Sequence, residues 1–141
     1  MGKDNALTDS SISLDSFIEL YELLKRDRRV SPWSRQNTLS SRFNELKKEI
    51  EELGEAIKVK DYDNIMEEMG DVLLDVIFLS IIMEEYTDYS IKDSIKSAVE
   101  KIKRRKPWIF SENNYTIEEE LKMWNEAKSI ENSKKLRKNK L

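Results

Sequence analysis

Val72-Leu73-Leu74-Asp75-Val76-Ile77-Phe78-Leu79-Ser80-Ile81-Ile82-Met83 is the longest apolar stretch of the chain, and Asp75 breaks it too early for a membrane span. It lies within 65–86, which reads as one helix. A helix apolar nearly all round must be covered on most of its sides, more than a single small bundle ordinarily provides. The run therefore predicts both an α-helical core and burial of part of that helix by another subunit.

Working outward, the segment 39–58 places Phe43, Leu46, Ile50, Leu53 and Ile57 at i, i+3 and i+7 spacing, which predicts a helix with one buried stripe. Residues 61–64 should turn the chain into the apolar helix. Upstream, Phe17, Leu20, Tyr21 and Leu24 predict a first helix over 14–26 with Ser13 as its cap, and Pro32 predicts a loop over 30–38. Downstream, a helix over 91–105 should stop before Pro107. A last one, over 116–131, opens on Thr116 and Glu119, the spacing of a capping box. The fold class is all-α, a helical bundle, with a leader at 1–13, one domain at 14–131 and a basic tail at 132–141.

Composition agrees and also excludes. Of 141 residues, 38% are hydrophobic and 38% charged, with three Gly and two Pro, a balance that favours amphipathic helices over a turn-rich β architecture. With no Cys there is no disulfide or thiolate metal site, and with no His there is no His-based triad, ordinary zinc site or Glu-x-x-His di-iron site. Any metal must be held by oxygen and be hard: Mg²⁺, Mn²⁺ or Ca²⁺. Residues 1–13 hold no apolar run of signal-peptide length, so the expected location is cytoplasmic. A net charge of −3 gives no global attraction for nucleic acid, and Lys134, Lys135, Arg137, Lys138 and Lys140 read as a solvated basic tail.

Carboxylates concentrate where the apolar helices make them costly. At 100° per residue, Glu45, Glu49 and Glu52 form a strip beside the stripe of the second helix, and Glu68, Asp71 and Asp75 form one on the third. Like charges at this spacing repel, more strongly as water is withdrawn. Acidic i, i+3 pairs on charged helices are commonly paired with Lys or solvated. Two pairs facing each other on antiparallel helices, Glu49/Glu52 and Glu68/Asp71, would instead suit a divalent cation.

Glu49-x-x-Glu52, fifteen intervening residues and Glu68-x-x-Asp71 resemble the ExxE and ExxD motifs of the MazG family. Three further segments match in order. Ser-Pro-Trp-Ser at 31–34 resembles the family's CPWD loop, Glu-Met-Gly-Asp-Val-Leu-Leu at 68–74 its ELGDLL, and Lys-Ile-Lys-Arg-Arg-Lys-Pro-Trp-Ile-Phe at 101–110 its KxxRRHPHVF. The resemblance runs from about Leu14 to Glu131. It departs at Ser31 and Ser34 in place of Cys and Asp, at Lys48 in place of an acid, and at Lys106 and Trp108 in place of two His.

The resemblance implies the all-α NTP pyrophosphatase fold and Mg²⁺-dependent hydrolysis of nucleoside triphosphates to monophosphate and pyrophosphate, with Mn²⁺ able to substitute. It assigns Glu49, Glu52, Glu68 and Asp71 to the metal and to catalysis. It assigns Lys101, Arg104 and Arg105 to the triphosphate, and favours Trp124 for the nucleobase. Trp33 is a second stacking candidate, although core packing is the commoner fate of Trp. Lys128, one turn beyond Trp124, is a further phosphate candidate. The expected partners are the nucleotide and further copies of the chain, as a homodimer or dimer of dimers, with no membrane and no specific nucleic acid. The rivals are an enzyme restricted to one nucleotide and a non-catalytic helical scaffold whose acids bind a basic partner.

Overall fold

The structure is a computed structural model and describes residues 14–139; the leader at 1–13, its cap Ser13, and Lys140 lie outside the described residues. Helices α1 (Leu14–Val30), α2 (Pro32–Arg35), α3 (Leu39–Lys58), α4 (Tyr62–Glu84), α5 (Ile91–Arg105) and α6 (Ile117–Asn139) follow one another, with a 3-10 turn at Pro107–Phe110. No strand occurs among the described residues. The chain divides into two compact units, Met1–Ile91 and Lys92–Leu141.

In the first unit α3 and α4 pack along their length as an antiparallel pair. Two contacts fix the register: Arg42 meets Asp75, and one heptad along α3 Glu49 meets Glu68, one heptad back along α4. Thr38 caps α3 through reciprocal bonds with Ser41, each backbone N–H donating to the other's hydroxyl. At the far end the Lys60 N–H donates to the Ile57 carbonyl and the Asp61 N–H to that of Ala56. This is the paired closure of a helix that ends on a left-handed residue, and Lys60 takes that role at φ 57° where glycine is usual. Asp61 then accepts from the Asn64 N–H and caps α4, so the two long helices are joined by only Val59, Lys60 and Asp61.

The core is small. Leu46 and Ala56 of α3 and Ile77, Phe78, Ile81 and Ile82 of α4 are buried. The expected stripe of α3 is thus only partly buried: Phe43, Ile50 and Ile57 are about half exposed. They recur every seven residues on the flank of α3 that α4 does not cover. Helix α4 likewise leaves Met66, Met69, Leu73 and Val76 exposed along one line.

Helix α1 packs on α4, with Phe17, Leu20, Tyr21 and Leu24 half-buried, and polar groups tie the two together. The Tyr21 hydroxyl donates to Glu84 at 2.9 Å, and Arg28 donates to Glu85 through Nε at 2.8 Å and Nη2 at 3.1 Å. Buried Arg28 also donates from Nη1 to the carbonyls of Ser34 and Asn37. That bond set draws the segment expected as a loop over 30–38 into the helical turn α2, with Pro32 at its start, where the missing N–H costs nothing.

In the second unit neither α5 nor α6 has a buried residue, and Ile95, Val99, Ile102, Ile117, Leu121 and Ile130 are exposed. The Thr116 capping box is present: the Thr116 N–H donates to Glu119, and the Glu119 N–H to the Thr116 hydroxyl. Helix α6 then runs on to Asn139, so Lys134, Lys135, Arg137 and Lys138 of the expected tail are helical residues.

Candidate functional site

The α3/α4 register brings Glu49, Glu68 and Asp71 together, with one carboxylate oxygen of each within 4.8 Å of the others. Glu49 Oε2 and Glu68 Oε2 are buried and have no hydrogen-bond partner. Leaving such an oxygen unpaired is costly, and three acids sharing the volume compound the cost by repulsion. Burial, then the contact with the Glu68 carboxyl, then the charges of Glu52 and Asp71 push Glu49 up to about 7. Glu68 is raised as well, first by burial and then by Glu52 and Asp71, with the Glu49 contact working the other way.

Glu52 stands at the edge of this cluster. It is exposed and lies outside the three-oxygen group, yet its charge acts on both Glu49 and Glu68. With Glu68, Glu55 and Asn64 it lines a cleft of about 610 Å³ that opens beside the buried oxygens. Glu55 and Asn64 carried no sequence signal, being single polar residues of common type.

Asp75, which shares the helical strip of Glu68 and Asp71, is satisfied differently. Arg42 Nη2 donates to it at 2.6 Å, and the Arg42 guanidinium lies 4.2 Å from the Phe78 ring centroid. Its carboxyl is nevertheless raised, since burial outweighs the attraction of Arg42. The acidic strip of α4 therefore splits into two cluster members and one ion-paired acid.

In the second unit Arg104 Nε donates to Glu131 Oε1 at 2.8 Å, while Arg105 donates to Oε2 from Nε at 3.1 Å and from Nη2 at 2.7 Å. These bonds, Arg105 first, hold Glu131 down to about 2. Trp124 carries the Arg105 guanidinium at 5.1 Å and the Lys106 ammonium at 5.7 Å from its ring centroid. With Lys106, Trp108, Glu120 and Leu121 it lines a pocket of about 290 Å³. Lys101 and Lys128 are exposed. Trp33, in the first unit, is 79% exposed and packs in no core. Glu131 was not singled out from the sequence, and Trp108 entered only as a departure from the family pattern, with no site role. The available signal for Glu131 was its position seven residues after Trp124, on the same face of α6.

The model of the MazG nucleotide pyrophosphohydrolase domain matches residues 37–110, more than half of the chain. The chain is 34% identical over 130 residues to a nucleoside triphosphate pyrophosphohydrolase/pyrophosphatase MazG of Thermotoga maritima, covering 92% of this chain and 49% of that protein. It is 30% identical over 125 residues to a nucleoside triphosphate pyrophosphohydrolase of Mycolicibacterium smegmatis, covering 87% of this chain and 39% of the relative. The chain thus spans half or less of the length of these curated relatives. It also resembles the crystal structure of a mazG-related protein from Thermotoga maritima, with a TM-score of 0.73 and 34% identity over 79% of this chain and 97% of that one. By sequence and by fold, the chain belongs to the MazG family.

Proposed function

We propose that this protein is a Mg²⁺-dependent hydrolase that cleaves nucleoside triphosphates between the α and β phosphates to give a monophosphate and pyrophosphate. The observation that carries the reading is the pair of buried, unpartnered oxygens of Glu49 and Glu68 beside Asp71. An all-oxygen, acidic donor set fits a hard divalent cation. Glu49, Glu68 and Asp71 would hold it, with Glu52 completing the set from the cleft edge. When bound, the ion supplies charge neutralisation at the phosphates and a lowered pKa for an attacking water.

The protein's own groups divide the remaining work. Lys101, Arg104 and Arg105 receive the phosphates, and the arginines stabilise charge that grows on the departing pyrophosphate. Lys128 adds a further cation. Trp124 offers a face for the base, with Trp33 as a second candidate. An active-site carboxylate accepts the water's proton.

The exposed apolar lines on α3 and α4 support assembly as a homodimer or dimer of dimers. A scaffold would have no use for unpartnered acids inside a helix pair, which favours the enzyme. The test is product analysis on a mixed nucleoside triphosphate pool in ¹⁸O-labelled water, with and without Mg²⁺. Monophosphate and pyrophosphate should appear first and only with the metal, and label should enter one of the two. Initial release of orthophosphate and nucleoside diphosphate would overturn the reaction assigned.

A further inference from the structure

One carboxylate serves two guanidinium groups in the second unit, and the way it does so is informative. Glu131 engages Arg104 through Nε and Arg105 through Nε and Nη2, so every bond falls on the Nε side of each fork. Among the described hydrogen bonds, neither terminal nitrogen of Arg104 nor Nη1 of Arg105 has a partner. A guanidinium is planar, so fixing its Nε side sets the direction of its remaining donors.

Burial orders the cluster from inside outward. The Glu131 and Arg105 side chains are each 16% exposed and that of Arg104 is 52% exposed. The anion and Arg105 are thus equally the inner members, and Arg104 is the outer one. Trp124, seven residues before Glu131 on the same face of α6, lies against the Arg105 guanidinium, which is 5.1 Å from the ring centroid. Beside the anion a cleft of about 550 Å³ is lined by Arg104, Glu131, Lys134 and Lys135, over Ala127 and Ile130. Four cations against one acid leave the neighbourhood strongly positive.

We propose that Glu131 is a positioning residue that aligns Arg104 and Arg105 to receive a polyphosphate, with Lys134 and Lys135 extending the same cationic cleft. The inference rests on the assignment of these arginines to the phosphates. A carboxylate that competed with the ligand would occupy the terminal donors of both arginines and lie outermost; Glu131 takes only one of the four terminal nitrogens, Arg105 Nη2, and its side chain is largely buried. Its strong binding to both arginines keeps it ionised through the neutral range.

Inorganic pyrophosphate is the probe, titrated calorimetrically into the full chain without nucleotide. Glu131→Gln should weaken its binding about tenfold or more, since misaligned charge-assisted bonds are lost, and Glu131→Asp should recover part of the loss. Lys134→Ala with Lys135→Ala should weaken it too. Helix content and thermal midpoint are recorded for each variant, and the isosteric Gln change guards against misfolding. Unchanged affinity with a lowered midpoint would mean that Glu131 only ties α5 to α6. Tighter binding in Glu131→Gln would mean a competing anion, and absence of wild-type binding would remove the cleft altogether; each overturns the proposal. Because no turnover is measured, a chain that binds pyrophosphate through Glu131 but hydrolyses nothing would refute the enzyme and leave the inference standing.

Discussion

Arg42 and Asp75 form the one strongly buried ion pair described between α3 and α4, 2.6 Å apart with side chains 16% and 5% exposed. The pair sits one heptad from the Glu49/Glu68 contact, so the bond that satisfies Asp75 also sets the register that crowds the acids. Asp75→Ala would strand the Arg42 charge against Phe78. The expected loss of stability is roughly 3 kcal/mol, read by chemical denaturation, as for other buried pairs deprived of one partner. A loss below ~1 kcal/mol would show that the pair is effectively solvated.

Neutralising a cluster acid should do the opposite. Glu68→Gln and Asp71→Asn each remove one negative charge from a site that repels itself, so the metal-free variants should melt above the metal-free wild type. The same variants should lose Mn²⁺ binding and nucleotide turnover while keeping their helix content. Full activity in either would end its assignment to the metal.

The acids also predict a pH dependence. Glu49 is held at about 7 against an ordinary 4.5, so between those values the folded chain keeps a proton that the unfolded chain has released. Folding is then favoured at low pH, and this contribution is lost as pH rises from about 4.5 through 7. The groups facing Glu49 are Glu52 on its own helix and Glu68 and Asp71 from α4, all of which oppose its charge. The metal-free thermal midpoint should fall from pH 5 to pH 7.5, and Mg²⁺ should restore it most strongly at the upper end. A midpoint that rises over this range without metal would contradict the crowding.

Lys60 holds φ 57° at the end of α3, a conformation that costs a side chain about 1 kcal/mol and glycine almost nothing. Lys60→Gly should therefore stabilise the α3/α4 turn, by up to ~1 kcal/mol, less the greater freedom glycine gives the unfolded chain. Chemical denaturation of the two forms is the measurement, and a clear loss of stability would show that the Lys60 side chain contributes more than its backbone costs.

Assembly is tested at Ile50 and Leu73, exposed apolar residues on the uncovered sides of α3 and α4. Ile50→Lys or Leu73→Glu should shift sedimentation toward monomer. A wild-type chain that sediments as a monomer at micromolar concentration would remove the expectation behind both.

Local physics made much of this legible in the sequence. Period, capping residues and Pro107 gave α3, α5 and the start of α6 from the chain alone, because helix caps and breaks depend on residues a turn apart. The four acids and the cations at 101–105 were visible as spacing reinforced by a family pattern. What spacing could not supply was the partner of each charge. Asp75 and Asp71 lie on one helical strip, but only the register of α3 against α4 gives the first an arginine and the second two more acids. Likewise Glu131 is one acid among many on α6 until the fold lays Arg104 and Arg105 across it. The sequence by itself determined which helices form and which faces carry charge, since both follow from neighbours three to seven residues apart. The tertiary structure decided which charges are compensated and which are left for a ligand, because that depends on contacts between residues far apart in the chain.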